Sequence, residues 1–209
     1  GNTTSTIRWN HLFNDRLFSN VTLLYSKYDY RLQFGEDDSD RFSWNSAISN
    51  FILRPQFTYF INDKNTLDFG ADAIYYVFAP ANAVGITNGN RVDISLNKKY
   101  NLESAVHISN NQKINDVLSI EYGLRVSYFQ YLGPGSAFTY NDTIPGRRRT
   151  PISETTYKSG QTIADYLNPE PRFSFNIRAS ESSSVKGSYN RMVQYLHLIS
   201  NTTASNPLD

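Results

Sequence analysis

The chain has 209 residues with 20 basic and 19 acidic side chains, which is enough for one domain. Its net charge of +1 provides no basic excess to offset phosphate, so composition gives no support to a nucleic-acid partner. There is no cysteine, which excludes a disulfide framework, a thiolate nucleophile and a Cys-based zinc site.

No run approaches the roughly 18 apolar residues of a membrane-spanning helix. The opening Gly1-Asn2-Thr3-Thr4-Ser5-Thr6 does not have the make-up of a signal peptide. Aromatics reach 14%, with 15 Tyr and 13 Phe. Any membrane crossing therefore has to be made by strands.

In chain order, 3–13 is expected as a first strand, closed by the turn Phe13-Asn14-Asp15-Arg16. The stretch 17–34 begins with Val21, Leu23 and Tyr25 on one face and finishes with Tyr28, Tyr30, Leu32 and Phe34 on the other. A β-bulge, or emergence of the strand from a bilayer, would produce that switch. A loop follows at 35–40, whose Glu36-Asp37-Asp38-Ser39-Asp40 reads as a solvated acidic run because it lacks the ligand spacing and glycine of a calcium loop. The turn chemistry returns at Ile61-Asn62-Asp63-Lys64, so a hairpin is expected near 62–65. Asn, Asp and Ser suit such turns because their side chains bond the local backbone.

The next strand sets Leu67, Phe69, Ala71, Ala73, Tyr75 and Val77 against Thr66, Asp68, Gly70 and Asp72, and a long loop is expected over 79–97. A third Asn-Asp turn, Ile114-Asn115-Asp116-Val117, puts a hairpin at 115–117. It opens the most regular strand, with Leu118, Ile120, Tyr122, Leu124, Val126 and Tyr128 on one face and Ser119, Glu121, Gly123, Arg125 and Ser127 on the other. A Gly-, Pro- and Ser-rich loop over 133–171 contains the basic triplet Arg147, Arg148 and Arg149, read as a solvated loop and a candidate extracellular contact. Phe173, Phe175 and Ile177 then alternate with Arg172, Ser174, Asn176 and Arg178. Ala179-Ser180-Glu181-Ser182 is a weaker fourth turn, at 180–183, followed by a last strand over 185–200 and a final loop over 201–209.

Short turns at one end of the strands and long loops at the other predict an all-β chain: an antiparallel, up-and-down transmembrane β-barrel segment of about eight strands, with short periplasmic turns and long extracellular loops. Residues 1–209 are read as one partial barrel. Aromatics reinforce the expectation. Tyr28, Tyr30, Phe34, Phe42, Trp44, Tyr75, Tyr76, Phe78, Tyr128, Phe129 and Tyr131 gather at the loop ends, and Trp9, Phe13, Phe18, Phe57, Tyr59 and Phe60 at the turn ends. Two interfacial belts would be laid out in this way. The alternatives are a complete eight-stranded barrel or adhesin, closed by pairing of the first and last strands, and a soluble all-β binding module whose aromatic face packs on a second sheet.

The second half resembles the barrel of TonB-dependent outer-membrane receptors. The resemblance lies in Ile114-Asn115-Asp116-Val117-Leu118-Ser119-Ile120-Glu121-Tyr122-Gly123-Leu124-Arg125, in Asn168-Pro169-Glu170-Pro171-Arg172-Phe173-Ser174-Phe175, and in Ser184-Val185-Lys186-Gly187-Ser188-Tyr189-Asn190-Arg191-Met192-Val193-Gln194-Tyr195-Leu196-His197-Leu198. It implies a barrel of 22 strands in the outer membrane of a Gram-negative bacterium. It also implies a plug domain, energy delivered through TonB, import of a scarce nutrient (a metal chelate, an oligosaccharide or a peptide), and a surface lipoprotein as a further partner. Neither plug nor TonB-contacting segment is recognised here, and the chain stops at Asn206-Pro207-Leu208-Asp209, so it is expected to be an internal fragment.

No catalytic constellation emerges, and a non-enzymatic role without a cofactor is expected. There is no Gly-x-Ser-x-Gly elbow and no phosphate loop, and His11, His107 and His197 lie on separate strands without ligand spacing. The candidate site residues are polar-face charges: Arg54, Asp68, Asp72, Glu121, Arg125, Arg172 and Arg178. They are read either as mutual salt bridges that hydrate a polar wall or as contacts of a lumen with substrate or plug.

Overall fold

The alternation becomes strands. A computed structural model describes residues 1–37, 40–87, 90–140 and 150–196. The loop at 201–209, His197 and the Arg147–149 triplet fall outside the described residues, as do the side chains of the acidic run 36–40. The described residues form eleven strands: β1 Asn2–Asn14, β2 Leu17–Asp37, β3 Asp40–Asn62, β4 Asn65–Thr87, β5 Asn90–Ser95, β6 Lys99–Lys113, β7 Leu118–Leu132, β8 Gly135–Tyr140, β9 Pro151–Tyr157, β10 Thr162–Arg178 and β11 Ser184–Asn190. All pairings are antiparallel. The main sheet runs β1-β2-β3-β4-β6-β7-β10-β11, with β5 folded back on β4 and β8-β9 forming a separate hairpin.

At one end of the sheet the Asn turns form as their chemistry dictates. Asn14 Oδ1 accepts from the backbone N–H of Arg16 (2.9 Å) and Leu17 (3.0 Å). Asn115 Oδ1 does the same for Val117 (2.9 Å) and Leu118 (2.8 Å), and Asn62 Oδ1 for Lys64 (2.9 Å). Ser180 Oγ, at the weaker fourth turn, accepts from Ser182 N at 3.3 Å. Each side chain does locally what a backbone carbonyl would do.

The opposite end differs from expectation. Most of 79–97 is not a loop, because β4 continues to Thr87 and β5 returns along it, from Thr87↔Asn90 to Asn82↔Ser95. A register shift against β3, between Asn45 and Ala47, lets the ladder continue past Ala79. Within 133–171, β8 and β9 form a hairpin, and β10 begins at Thr162 and runs straight through Pro169 and Pro171. Both prolines pair with β7, while β11 joins β10 only from Arg172 onward. The Pro171 carbonyl accepts from Arg191 N at 3.1 Å on the β11 side, so the missing N–H groups point to that side, beyond the end of the ladder, where proline is tolerated. The last strand ends at Asn190 rather than 200.

No bulge explains the polarity switch in β2. Its register against β3 is unbroken from Leu17↔Tyr59 to Phe34↔Phe42. The faces simply exchange character: beyond Tyr25, the side that carried Val21 and Leu23 carries Lys27, Asp29, Arg31 and Gln33.

The sheet is not closed, since β1 and β11 each have a single neighbour. The pairing that a complete eight-stranded barrel requires is therefore absent among the described residues. The chain exposes 14574 Å², against about 9,900 Å² for a compact monomer of its 23.9 kDa. Few apolar side chains are deeply buried: Phe78, Ala83, Ala105 and Phe129 among the described residues.

Candidate functional site: an ionic cluster on the polar face

Cross-strand pairing sorts the side chains into two faces, because directly paired residues share a side. One face is apolar. The row Pro55, Ala71, Val106, Val126 and Pro169 crosses it, as does Tyr59, Leu67, Asn110, Tyr122, Phe173 and Tyr189. These side chains are largely uncovered; Val106 is 61% exposed, Leu167 66% and Ile7 70%. Aromatic contacts lie at both heights on this face: Tyr25 with Phe51 (4.9 Å) and Tyr75 with Tyr100 (6.4 Å) above, Phe57 with Phe69 (5.2 Å) and Trp9 with His11 (5.3 Å) below. Most of the aromatics expected in two belts are not on this face: Tyr28, Tyr30, Phe34, Phe42, Trp44, Tyr76, Phe78, Phe129 and Tyr131 belong to the other face, as do Phe18, paired with Thr58, and Phe60, paired with Thr66.

All seven candidate charges lie on the polar face, and the structure joins three of them. Arg54 Nε donates to Asp72 Oδ1 at 2.5 Å, and Arg125 Nη1 donates to Asp72 Oδ2. Asp72 is only 6% exposed, Arg125 19% and Arg54 45%. Two further carboxylates converge on Arg125: Glu103 Oε1 at 3.7 Å and Glu170 Oε1 at 3.9 Å. The cluster thus spans β3, β4, β6, β7 and β10. Each carboxylate has a second tie. Tyr76 donates its hydroxyl to Glu103 (3.2 Å), and Ser127 Oγ donates to Glu170 (2.5 Å).

After β11 the chain leaves the ladder and crosses this face. Tyr195 stacks on Phe129 with centroids 4.9 Å apart, and its hydroxyl lies 2.7 Å from Ser127 Oγ and accepts from Asn168 Nδ2 at 3.0 Å. Sequence reasoning missed Glu103, Glu170, Ser127 and Tyr195 as cluster members. Period-two alternation places a residue on a face, but only the register between strands says which charges meet.

The other candidates stay apart. Asp68 accepts from Thr58 Oγ1 at 2.6 Å. Glu121 pairs in register with Asn111 and Ser174, and Arg172 with Gly123 and Asn190. At Arg178 the backbone N–H donates to Val117 O at 2.7 Å. His11 and His107 lie on opposite faces.

Close approach shapes the same sheet. A Cβ at Gly123 would meet Ser109 Cβ at 2.6 Å and Ile108 O at 2.7 Å. Buried side-chain atoms without a partner include Asn50 Oδ1, His107 Nδ1, Asn176 Oδ1 and Trp44 Nε1, all on the polar face. Chemically, the arrangement presents a rigid, mixed-charge surface with unused donors and acceptors. Among the described residues, no group of three His, Asp or Glu side chains is arranged to hold a metal. No protein-family model matches the chain, and no curated protein matches it in sequence.

Proposed function

We propose that the chain is a length of wall from a TonB-dependent outer-membrane receptor, with its apolar face against lipid and its ionic face lining the lumen of a larger barrel. The observation that carries this reading is the exposed apolar face itself. An uncovered surface of this size is untenable in water unless something apolar covers it. Its dimensions suit a bilayer. From Leu118 to Tyr128, about ten residue steps at about 3.3 Å make about 33 Å along the strand, or about 25 Å at a tilt near 40°. That is the height of the apolar band of outer-membrane barrels.

Among the described residues β1 and β11 have open edges, which favours a segment over a complete eight-stranded barrel, because a spanning sheet must satisfy its edge groups by closure. A soluble binding module would need a second sheet over the apolar face, where the side chains are instead exposed. In this reading the partners are outer-membrane lipid, a plug domain that meets the polar face, TonB acting through the plug, a surface lipoprotein, and a nutrient met outside the cell. The unsatisfied polar atoms at Asn50, His107 and Asn176 suit a polar occupant of the lumen. The wall itself performs no catalysis.

Fractionation of Gram-negative cells expressing the intact protein tests the proposal. Recovery in the outer-membrane pellet, with extraction only by detergent, is the expected result. A protein that stays soluble and monomeric without detergent would refute the lipid-facing assignment.

A further inference from the structure

We propose that the apolar face carries a discrete site for one lipid with a phosphorylated headgroup. The inference rests on the membrane-wall reading and adds to it a particular ligand.

Three concavities lie one above another along β3 and β4. The lowest, about 680 Å³, is bounded by Pro55, Phe57, Phe69, Ala71 and Val106. The next, about 380 Å³, lies between Leu23, Phe51, Leu53, Ala73 and Tyr75. Register explains both. Ala71 lies between Pro55 and Val106, and Ala73 between Leu53 and Ser104, so short side chains form the floor, while Phe57 and Phe69, and Leu23, Phe51 and Tyr75, form the banks. Both hollows are almost wholly apolar and suit acyl chains.

Above the upper aromatic contacts the same strands change chemistry. The third hollow, about 660 Å³, is lined by Arg31, Asn45, Ala47, Ala79, Asn82 and Lys98 among others. It forms where the register of β3 and β4 shifts between Asn45 and Ala47. Its one carboxylate among the described residues, Asp29, has the Gly1 ammonium at 3.3 Å and Lys27 Nζ at 4.0 Å. Arg31 spends only Nε, on Asn45 Oδ1 at 2.8 Å, so its terminal nitrogens have no protein partner among the described residues. Lys98 has no carboxylate partner among them either. A guanidinium with two free nitrogens matches phosphate oxygens, and cations just beyond an apolar band attract anionic headgroups.

The order along the face selects the occupant. A free anion would use the upper saddle alone, and a neutral lipid the lower grooves alone. An amphiphile with phosphate at its head fills all three.

The test uses the intact protein in phosphatidylcholine nanodiscs doped with a minor fraction of lipid A, with retained lipid counted by native mass spectrometry. The expected result is retention of lipid A well above its share of the bilayer. The paired substitution Arg31→Gln and Lys98→Gln should lower it by about thirtyfold, the factor that two interfacial cations supply. Ala73→Phe should also lower it by filling the groove, while Lys186→Gln on the polar face should leave it unchanged. The proposal is overturned if wild-type protein retains lipid A only in proportion to the bilayer, if dephosphorylated lipid A is retained equally, or if the paired substitution has no effect. Failure of the membrane-wall reading would show differently, as protein that never enters the nanodisc.

Discussion

Arg125 is the hub of the polar face, and replacing it with Leu should cost more than any other single substitution in the cluster. In its place the side chain meets Asp72, Glu103 and Glu170. Leu at this position leaves Asp72 with Arg54 alone and the two glutamates with no cation. Stranding buried carboxylates costs about 3–5 kcal/mol. Because Arg125 retains 19% exposure, some water reaches the site and the low end, about 3 kcal/mol, is expected. Arg54 is 45% exposed, so Arg54→Leu should cost no more than about 1 kcal/mol. With a guanidinium slope of about 4 kcal/mol/M, the unfolding midpoint of the Arg125→Leu protein should fall by about 0.7 M. Tryptophan fluorescence of the intact protein in detergent measures it. A double-mutant cycle with Asp72→Asn should show coupling of at least about 1 kcal/mol, and additivity within about 0.5 kcal/mol would refute the hub.

Three smaller predictions follow from the turns and the tight contact. Gly123→Val should destabilise the wall by about 1–3 kcal/mol in the same assay, because its Cβ has to displace Ser109 and Ile108 of β6; an unchanged midpoint would mean that β6 yields freely. Asn115→Ala removes the acceptor for two backbone N–H groups, at a cost of about 1 kcal/mol, and should speed hydrogen exchange at Val117 and Leu118, whereas Asn115→Asp should not. At the same turn the Lys113 ammonium, 2.7 Å from Asp116, holds that carboxyl below the usual carboxylate range. A lowered carboxylate pKa contributes stability that is present above the ordinary value and lost as pH falls through the lowered one. An NMR titration of Asp116 should therefore move upward in Lys113→Ala, and by less in Arg178→Ala, whose guanidinium is a weaker contributor.

What could be read in advance was what is local. Asn14, Asn62 and Asn115 announce their turns because each side chain completes the turn by itself. The faces of β7 were plain from alternation, since a strand sends successive residues to opposite sides. The upper end was not legible. Its Ala-, Asn- and Gly-rich segments look like loop, yet backbone pairing carries β4 to Thr87 and β5 back along it. Pro169 and Pro171 look like a boundary, and only the end of the β11 ladder at Arg172↔Asn190, which asks no N–H of either proline, explains why β10 continues. The faces of most aromatics were not legible for a related reason: β2 exchanges its faces above Tyr25, so nearness to a loop does not say which way a ring points. Arg54, Asp72 and Arg125 could be nominated from their strands. Tyr195 could not, because its bond to Ser127 joins residues 68 positions apart.

The central claim, that one face of this sheet meets lipid and the other does not, is tested most directly along β7. The chain contains no cysteine, so single cysteines at each position from 118 to 128, carrying a nitroxide, report each site in the reconstituted protein without background from this segment. Oxygen accessibility should peak at Leu118, Ile120, Tyr122, Leu124, Val126 and Tyr128, and accessibility to a polar nickel reagent should peak at the positions between. Loss of that two-residue period, or polar-reagent access at Leu124 and Val126 equal to that at Arg125, would contradict the account.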